Sequence, residues 1–317
     1  SLASWGMFCA RGRSARAKDS AERRRSLEAR APVRIDLAGG WTDVSPYTHD
    51  VGGEVVNLAI DSYARATLEV DDGGILSVNY TCDVPVGSGL GTTGAINVAL
   101  LAAIEGMSKL GDSQRQAVAE QAFQFESLLG NKGGRQDQWA AAHGGWNHLL
   151  FIGDDVEKMP FSPIRSAQRW LSKHLVLANT GIPHVSGDLH TMIWERYAAG
   201  DEQVREGLMA IRMAARQMAN GLQQDRRDEV ITAFNEVCRG VDLLDPGLHG
   251  PFHSVVDPLL EARNVLGWKA LGAGGGGCLV LLANMGRREP VEAACEAAGW
   301  TLLEWDIDSE GVSVNAS

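Results

Sequence analysis

The sequence contains few cysteines and no long apolar run. Its 317 residues include five cysteines at long spacings, and none of them forms a CxxC pair. The odd number and the spacing disfavour a disulfide framework and a zinc ribbon, and they fit the reducing conditions of the cytoplasm. A membrane-spanning helix would need a run of about 18 apolar residues, and no such run is present. We therefore expect a cytoplasmic protein without a membrane span.

Positive charge is also in short supply. The chain carries 29 Lys and Arg residues against 40 Asp and Glu residues, which gives a net charge of -11 at pH 7. This balance argues against a general nucleic-acid or membrane-surface role, although a few local cations can still bind an anionic substrate. The sequence does not distinguish a monomer from a homodimer. The eight histidines show no metal-ligand spacing, and four of them receive no role: His143, His148, His184 and His190.

Residues 1–29 differ in composition from the rest of the chain. Basic residues are frequent there and have few apolar neighbours. We interpret this segment as a solvated or disordered tail, or as an artefact of the start site. A targeting peptide is the alternative, but no apolar region follows the charged start.

The order of the predicted elements favours an α+β fold. Strands come mostly first and do not alternate regularly with helices, as a doubly wound sheet would require. Pro160 and Pro163 interrupt the pattern, so we expect one lobe at residues 30–160 and a second at residues 161–317. Strands are predicted at residues 33–38, 55–70, 75–80, 146–151, 175–178, 278–283 and 302–306. Helices are predicted at residues 92–105, from an N-cap at Ser113 to a break at 130–134, and at 184–199, 202–220, 228–239, 255–265 and 291–298.

A glycine-rich loop between a predicted strand and a predicted helix carries the strongest chemical signal. It reads Pro85-Val-Gly-Ser-Gly-Leu-Gly-Thr-Thr-Gly94. Glycines let the backbone approach a bulky anion, and the helix that follows directs free N–H groups and its positive dipole end at that anion. The hydroxyls of Thr92 and Thr93 can reach a phosphate oxygen or a magnesium ion. The loop therefore predicts a phosphate site.

Two other interpretations of this loop are weaker. Residues 89–94 formally match GxGxxG, but the dinucleotide fingerprint needs a βαβ unit, and here a second helix follows the first. The chain has no GK[ST] sequence and therefore no Walker A loop. A plain tight turn with a capped helix remains an alternative, although the number of small and hydroxyl residues favours phosphate binding. A second glycine cluster, at residues 272–277, precedes a strand and suggests close approach of the backbone to a ligand or to another loop.

Three ordered segments together resemble the signature motifs of the GHMP small-molecule kinase superfamily. They are residues 31–43, with the sequence Gly-Gly-Trp-Thr-Asp at their end, the loop 85–94, and residues 271–278. The resemblance spans about residues 30 to 285. It implies an N-terminal lobe like ribosomal protein S5 domain 2 and a ferredoxin-like C-terminal lobe. ATP and a divalent metal, normally Mg²⁺, would lie between the lobes.

Within the superfamily, the Gly-Gly-Trp-Thr-Asp and Gln-Asp-Gln segments look most like fucokinases and heptose 7-phosphate kinases. Two departures stand out. Thr92, Thr93 and Gly94 replace the usual two serines and alanine, which keeps the hydroxyls. Arg135 stands where fucokinase-like enzymes often carry Trp, and it resembles the lysine of the heptose-phosphate enzymes.

The resemblance also implies roles for individual residues. Asp137 matches the base that accepts the hydroxyl proton of the sugar, and Arg34 matches the arginine beside it. Glu126 matches the metal carboxylate, with Thr93 as its hydroxyl partner. The nucleotide would contact the motif loop at Pro85, Gly87, Ser88, Gly89, Leu90, Gly91, Thr92, Thr93 and Gly94. The substrate would contact Trp41, Thr42, Asp43, Arg135, Gln136, Thr180, Gly181, Gly274 and Gly275.

These expectations define a function and its rivals. The implied activity is ATP-dependent phosphorylation of a sugar hydroxyl, with the anomeric hydroxyl as the favoured acceptor, on a fucose-like hexose or a heptose 7-phosphate. A non-sugar acceptor such as mevalonate or homoserine is an alternative within the family. A non-catalytic sensor of sugar and nucleotide and a nicotinamide-dependent oxidoreductase are alternatives of other classes. ATP with Mg²⁺, but not NAD, should raise the melting temperature if the kinase hypothesis is right.

Overall fold

Two long antiparallel strands build the first sheet of the computed structural model. They are β1 (Arg25–Ala38) and β2 (Gly53–Val70), in which Ile35 lies opposite Leu58. Apolar and small residues of both strands bury one face of this sheet in the main core. The structure describes residues 25–71, 73–106, 110–130, 133–183 and 187–316.

The elements follow the α+β order that the sequence predicts, and the fold class is confirmed. After β1 come α1 (Tyr47–Asp50), β2, β3 (Leu76–Cys82), α2 (Thr92–Glu105), α3 (Asp112–Leu128), α4 (Gln136–His143), β4 (Trp146–Ile152) and β5 (Asp155–Lys158). Next come α5 (Arg165–His174), β6 (Leu175–Asn179), α6 (Gly187–Ala198), α7 (Glu202–Gln224), α8 (Arg227–Leu244) and a 3₁₀ turn (Pro246–Leu248). The chain ends with α9 (His253–Glu261), β7 (Val265–Ala270), β8 (Cys278–Ala283), α10 (Arg288–Ala297), β9 (Thr301–Leu303) and β10 (Ser313–Ala316).

Two sheets define the two lobes. The first has the order β10-β1-β2-β4-β5, and β3 pairs with the far end of β2. The second has the order β7-β8-β6-β9, and all of its pairs are antiparallel. The lobes meet closely, because α7 packs on β1 and β2 of the first sheet.

The predicted lobe boundaries shift at both ends. Strand β1 begins at Arg25, inside the segment assigned to a basic tail; residues 25–29 pair with β2, and residues 27–29 also pair with β10. The last strand, β10, joins the first sheet, so the end of the chain returns to the N-terminal lobe. The rest of the predicted tail, residues 1–24, lies outside the described residues.

Several predicted elements need correction. Helix α3 is capped at Gly111 and not at Ser113, since the backbone N–H of Gly111 donates to the side chain of Gln114. The structure adds α4, α5, β5, β7 and β10, which the sequence pattern did not indicate. His184 and residues 131–132 of the predicted break lie outside the described residues. No helix in the described part of the chain has the length and apolarity needed to cross a bilayer.

Candidate functional site

An ion pair between Arg34 and Asp137 lies at the centre of the site. Arg34 sits in β1, and its side chain is 4 % exposed. Its Nε donates to Oδ1 of Asp137 at 2.9 Å, and Nη2 lies 2.6 Å from the same oxygen. Asp137 lies in the first turn of α4, and 29 % of its side chain remains exposed. The pair therefore combines a buried cation with a carboxylate that solvent or a ligand can reach.

The same arginine holds the glycine-rich loop. Its Nη1 donates to the carbonyl oxygen of Gly89 at 2.5 Å, and its backbone N–H donates to the carbonyl oxygen of Leu90 at 3.0 Å. A Cβ at Gly91 would lie only 3.0 Å from Cγ of Asp137, and one at Gly94 would lie 2.8 Å from its Cβ. The loop thus packs directly on Asp137, and small residues make this approach possible.

The geometry of the loop fits a phosphate group. Gly87, Gly89 and Gly91 all have positive φ, between 75° and 81°, and a Cβ at Gly87 would meet nothing within 4 Å. Helix α2 begins directly after Gly91, so its free N–H groups and positive dipole end face the loop. The loop therefore offers an open cradle in front of a helix N-terminus.

The remaining loop residues divide into buried and exposed sets. Ser88 and Thr92 are buried, with their hydroxyl oxygens 3.4 Å apart, and Thr93 is exposed on the first turn of α2. Leu90 is fully buried in the core, so only its backbone can serve a ligand. Pro85 is exposed at the start of the loop.

Glu126 occupies a buried position on α3, which excludes the interpretation as an ordinary surface glutamate. Its Oε1 accepts a hydrogen bond of 2.8 Å from Nε2 of Gln138, the residue after Asp137. The amide oxygen of Gln138 is buried and has no hydrogen-bond partner among the described residues. A carboxylate, an amide oxygen and a hydroxyl such as that of Thr93 are hard oxygen donors of the kind that Mg²⁺ prefers. The donor types fit, although no cluster of three or more His, Cys, Asp or Glu residues is found within the described ranges.

The turn that follows β1 places Asp43 against α4. Oδ2 of Asp43 accepts a hydrogen bond of 3.1 Å from the backbone N–H of Gln136. The pKa of Asp43 is raised to about 6, mainly by burial and also by the carboxylates of Asp137 and Asp36, while the Gln136 N–H opposes the shift. Asp43 is therefore a carboxyl group that changes its charge close to neutral pH.

Within this turn, both Trp41 and Thr42 are buried. Trp41 adopts a φ of 86°, which is rare for a residue with a side chain, and only 7 % of its surface is exposed. Thr42 is fully buried, and its hydroxyl donates to the carbonyl oxygen of Gly39 at 2.7 Å and accepts the N–H of Glu54 at 3.1 Å. The substrate contact assigned to Thr42 stays a prediction, and in the structure its side chain holds the turn on β2.

An open cleft of about 490 Å³ brings the central residues together. The N-terminal lobe lines it with Arg34, Gly40, Trp41, Asp43, Val44, Gly133, Gly134, Gln136 and Asp137. The C-terminal half of the chain contributes His190, Gly272 and Ala273. The cleft thus combines the Arg34–Asp137 pair with a second carboxyl group and an aromatic wall.

Arg135 lies outside this cleft. Its guanidinium bonds to the carbonyl oxygen of Asp154, lies 3.5 Å from the carboxylate of Glu120 and sits 4.4 Å above the ring of Phe123. The substrate contact assigned to Arg135 stays a prediction, and its side chain is not among those that line the cleft. These contacts of the Arg135 guanidinium fix the start of α4.

Four other predicted substrate residues are not among those that line the cleft, and their substrate contacts stay predictions. Thr180 donates its hydroxyl to the carbonyl oxygen of Gly277 at 2.8 Å, and Gly181 bonds to the side chain of Asn179. Gly275 donates its N–H to the carbonyl oxygen of Leu248 at 2.7 Å, and Gly274 packs on the same residue. These contacts support the second glycine loop on the side away from the cleft. The first residues of that loop, Gly272 and Ala273, line the cleft.

The two glycine loops pack on each other. A Cβ at Gly272 would lie 2.9 Å from Cα of Gly89, and one at Gly277 would lie 2.7 Å from the carbonyl oxygen of Ser88. The N–H of Cys278 donates to the same oxygen at 2.7 Å. The second cluster therefore supports the first loop from the other lobe, as its glycine content indicated.

A family model described as the GHMP kinases N terminal domain matches residues 55–145, which include the glycine-rich loop, Glu126 and Asp137. The chain carries a GHMP kinase N-terminal domain. This GHMP kinase domain begins in β2 and ends just before β4.

Relatives and solved structures extend the similarity beyond the domain. The chain is 24 % identical over 319 residues to a bifunctional fucokinase/GDP-fucose pyrophosphorylase of Arabidopsis thaliana, covering 82 % of this chain and 30 % of that protein. It is 23 % identical over 339 residues to a D-glycero-alpha-D-manno-heptose 7-phosphate kinase of Campylobacter jejuni, covering 91 % and 98 %. The crystal structure of a D-glycero-D-manno-heptose 1-phosphate kinase from Bacteroides thetaiotaomicron matches with a TM-score of 0.72 at 22 % identity, covering 91 % and 98 %.

These matches agree on the fold. The two-lobed fold is that of GHMP kinases. The chain spans about a third of the length of the bifunctional Arabidopsis relative. The residues missed in the sequence, above all His190, lie outside the three motifs and reach the cleft only through the tertiary fold.

Proposed function

We propose that this chain is a GHMP-type kinase that phosphorylates a hydroxyl of a small sugar, with ATP as the phosphoryl donor. The first candidate is the anomeric hydroxyl. The observation that carries the proposal is the Arg34–Asp137 pair, which faces an open cleft and is bonded to the glycine-rich loop. The names of the fucokinase and heptose-phosphate kinase relatives support a sugar as the acceptor.

The residues present can carry out the transfer as follows. The sugar hydroxyl loses its proton to the carboxylate of Asp137 as its oxygen forms a bond to the terminal phosphorus of ATP. The bond between that phosphorus and the bridging oxygen breaks, and ADP leaves. The guanidinium of Arg34 holds the carboxylate of Asp137 in place and offsets negative charge that develops nearby.

The glycine-rich loop and helix α2 would position ATP, the phosphoryl donor. Backbone N–H groups around Gly87, Gly89 and Gly91 would hold the phosphates at the N-terminus of α2. Glu126 and Thr93 would hold Mg²⁺, which would neutralise phosphate charge when bound. On the acceptor side, Asp43 and Gln136 line the cleft beside Asp137 and supply hydrogen-bonding groups for further sugar hydroxyls.

The position of Arg135 bears on the choice of sugar. In the sequence, a cation at this position indicates a phosphorylated acceptor. In the structure, the guanidinium of Arg135 contacts Asp154, Glu120 and Phe123 instead. A fucose-like hexose is therefore the first acceptor to test. A heptose 7-phosphate is the second, because the Campylobacter jejuni relative of that name matches over nearly the full length of both chains.

The test is ADP release with Mg²⁺-ATP against L-fucose, galactose, mannose, a manno-heptose 7-phosphate and mevalonate, with Asp137→Asn measured in parallel. We expect turnover with one sugar and a loss of about 10²–10⁴-fold in the variant. Turnover only with mevalonate would replace the sugar by a non-sugar acceptor. ATP binding without any turnover would favour a sensor, and stabilisation by NAD but not by ATP would overturn the kinase assignment.

A further inference from the structure

The C-terminal half of the chain reaches the cleft through very few side chains. Among the described residues that line it, only His190, Gly272 and Ala273 come from this half. Gly272 and Ala273 carry no polar side chain. Among the described residues, His190 is therefore the polar side chain that this wall offers to an acceptor.

Aromatic contacts fix the ring of His190. It stacks on Trp41 with 4.9 Å between ring centroids and an interplanar angle of 23°. The indole N–H of Trp194, one turn further along α6, donates to Nε2 of His190 at 3.3 Å. Because Nε2 accepts this bond, the neutral imidazole carries its proton on Nδ1. The contacts hold one ring orientation before any substrate arrives.

Helix α6 is docked on the segment that carries the predicted sugar-binding residues. The ring of Tyr197 meets that of Tyr47 edge to face at 5.9 Å, and its hydroxyl donates to Oδ2 of Asp50 at 3.1 Å. Tyr47 and Asp50 are the first and last residues of α1, which follows the turn containing Trp41 and Asp43. The position of His190 is therefore coupled to the same turn that places Asp43 in the cleft.

We propose that His190 is a specificity-determining residue that contacts the acceptor sugar from the C-terminal wall of the cleft. This inference rests on the proposed function. The imidazole covers one face of the Trp41 ring, so a sugar on that side meets the histidine and not the bare indole. An imidazole ring suits a sugar, since it offers an apolar face to C–H groups and a polar edge to hydroxyls. His190 acts in binding, and Asp137 acts in the proton transfer.

The test compares three variants in steady-state kinetics with the sugar that the wild type phosphorylates. His190→Ala removes the ring, His190→Phe keeps the stack on Trp41 but removes the nitrogens, and His253→Ala is the matched control, because His253 is half-exposed on α9 outside the cleft. We expect His190→Ala to raise KM for the sugar about tenfold while KM for ATP and kcat change little. His190→Phe should raise the same KM less, and His253→Ala should leave it unchanged.

The outcomes separate this inference from the proposed function. Failure of the wild type to phosphorylate any sugar would overturn the proposed function and with it the inference. An active wild type with an unchanged sugar KM in His190→Ala would overturn only the role of His190. A lower sugar KM in that variant would also overturn it, because the imidazole would then obstruct the sugar. Equal increases in KM for the sugar and for ATP, together with a lower melting temperature, would show that His190 has only a structural role.

Discussion

Lys269 and Asp36 form a buried ion pair that joins the two lobes. Nζ of Lys269, on β7, lies 2.8 Å from Oδ2 of Asp36, on β1, and the two side chains are 5 % and 1 % exposed. Gly40 of the cleft packs directly on this carboxylate, and Lys269 lies just before the second glycine loop. The pair thus lies beneath the substrate side of the cleft, and the charge of Asp36 contributes to the raised pKa of Asp43.

Removing one member of this pair should cost more than removing both. Lys269→Met leaves a buried carboxylate without its counter-ion, so we expect the free energy of unfolding to fall by about 3–5 kcal/mol. The double variant Asp36→Leu with Lys269→Met removes both charges and should recover most of that loss. Urea unfolding of the wild type, both single variants and the double variant measures the coupling. Additive losses would show that the pair does not act as a unit.

Gly91 should be required for catalysis because of its distance from Asp137. An alanine there combines a positive φ of 75° with a Cβ only 3.0 Å from Cγ of the carboxylate. Gly106, at the end of α2, is a matched control, since it has a φ of 64° and open space around its Cβ. Both variants should lose about 1 kcal/mol of stability from backbone strain, but only Gly91→Ala should lose kcat, by about tenfold or more. Equal kcat values in the two variants would contradict the steric argument.

Arg135 should stabilise the fold and leave substrate binding unaffected. Arg135→Ala removes the contacts with Asp154, Glu120 and Phe123, so we expect a loss of about 1–2 kcal/mol in the free energy of unfolding. KM for the sugar should stay within about twofold of the wild-type value, since the side chain lies outside the cleft. Thermal unfolding and steady-state kinetics on the same preparation test both statements. A KM that rises only for a phosphorylated sugar would restore Arg135 as a substrate residue.

The sequence predicts the centre of the site better than its walls. Arg34, Asp137 and the glycine loop belong to local motifs, and the fold brings them into contact. Thr42 and Gly274 belong to the same motifs, yet they pack inside the protein, because a motif does not reveal which of its side chains faces a ligand. His190 lies in no motif and reaches the cleft only because α6 docks on α1.

The missed elements have a similar physical cause. Helix α4 has eight residues, nearly all buried, so its sequence lacks the apolar and polar faces that indicate a helix. Strand β7 is likewise buried on almost every residue and includes a lysine, which the sequence alone does not mark as half of an ion pair. Long amphipathic helices such as α7 and the regular helix α2 were predicted with nearly correct bounds.

Asp43 should make stability depend on pH between about 4 and 6. Its pKa is raised from an ordinary 3.8 to about 6, so the native state binds this proton more tightly than the unfolded chain. The stability contributed by the proton is present in full below pH 4 and is lost as the pH rises through about 6, by about 3 kcal/mol. Asp43→Asn keeps an oxygen for the Gln136 N–H but cannot ionise. We therefore expect the variant to gain thermal stability relative to the wild type from pH 4 to pH 7, while its KM for the sugar rises. A stability difference that does not change with pH would show that Asp43 titrates at its ordinary pKa.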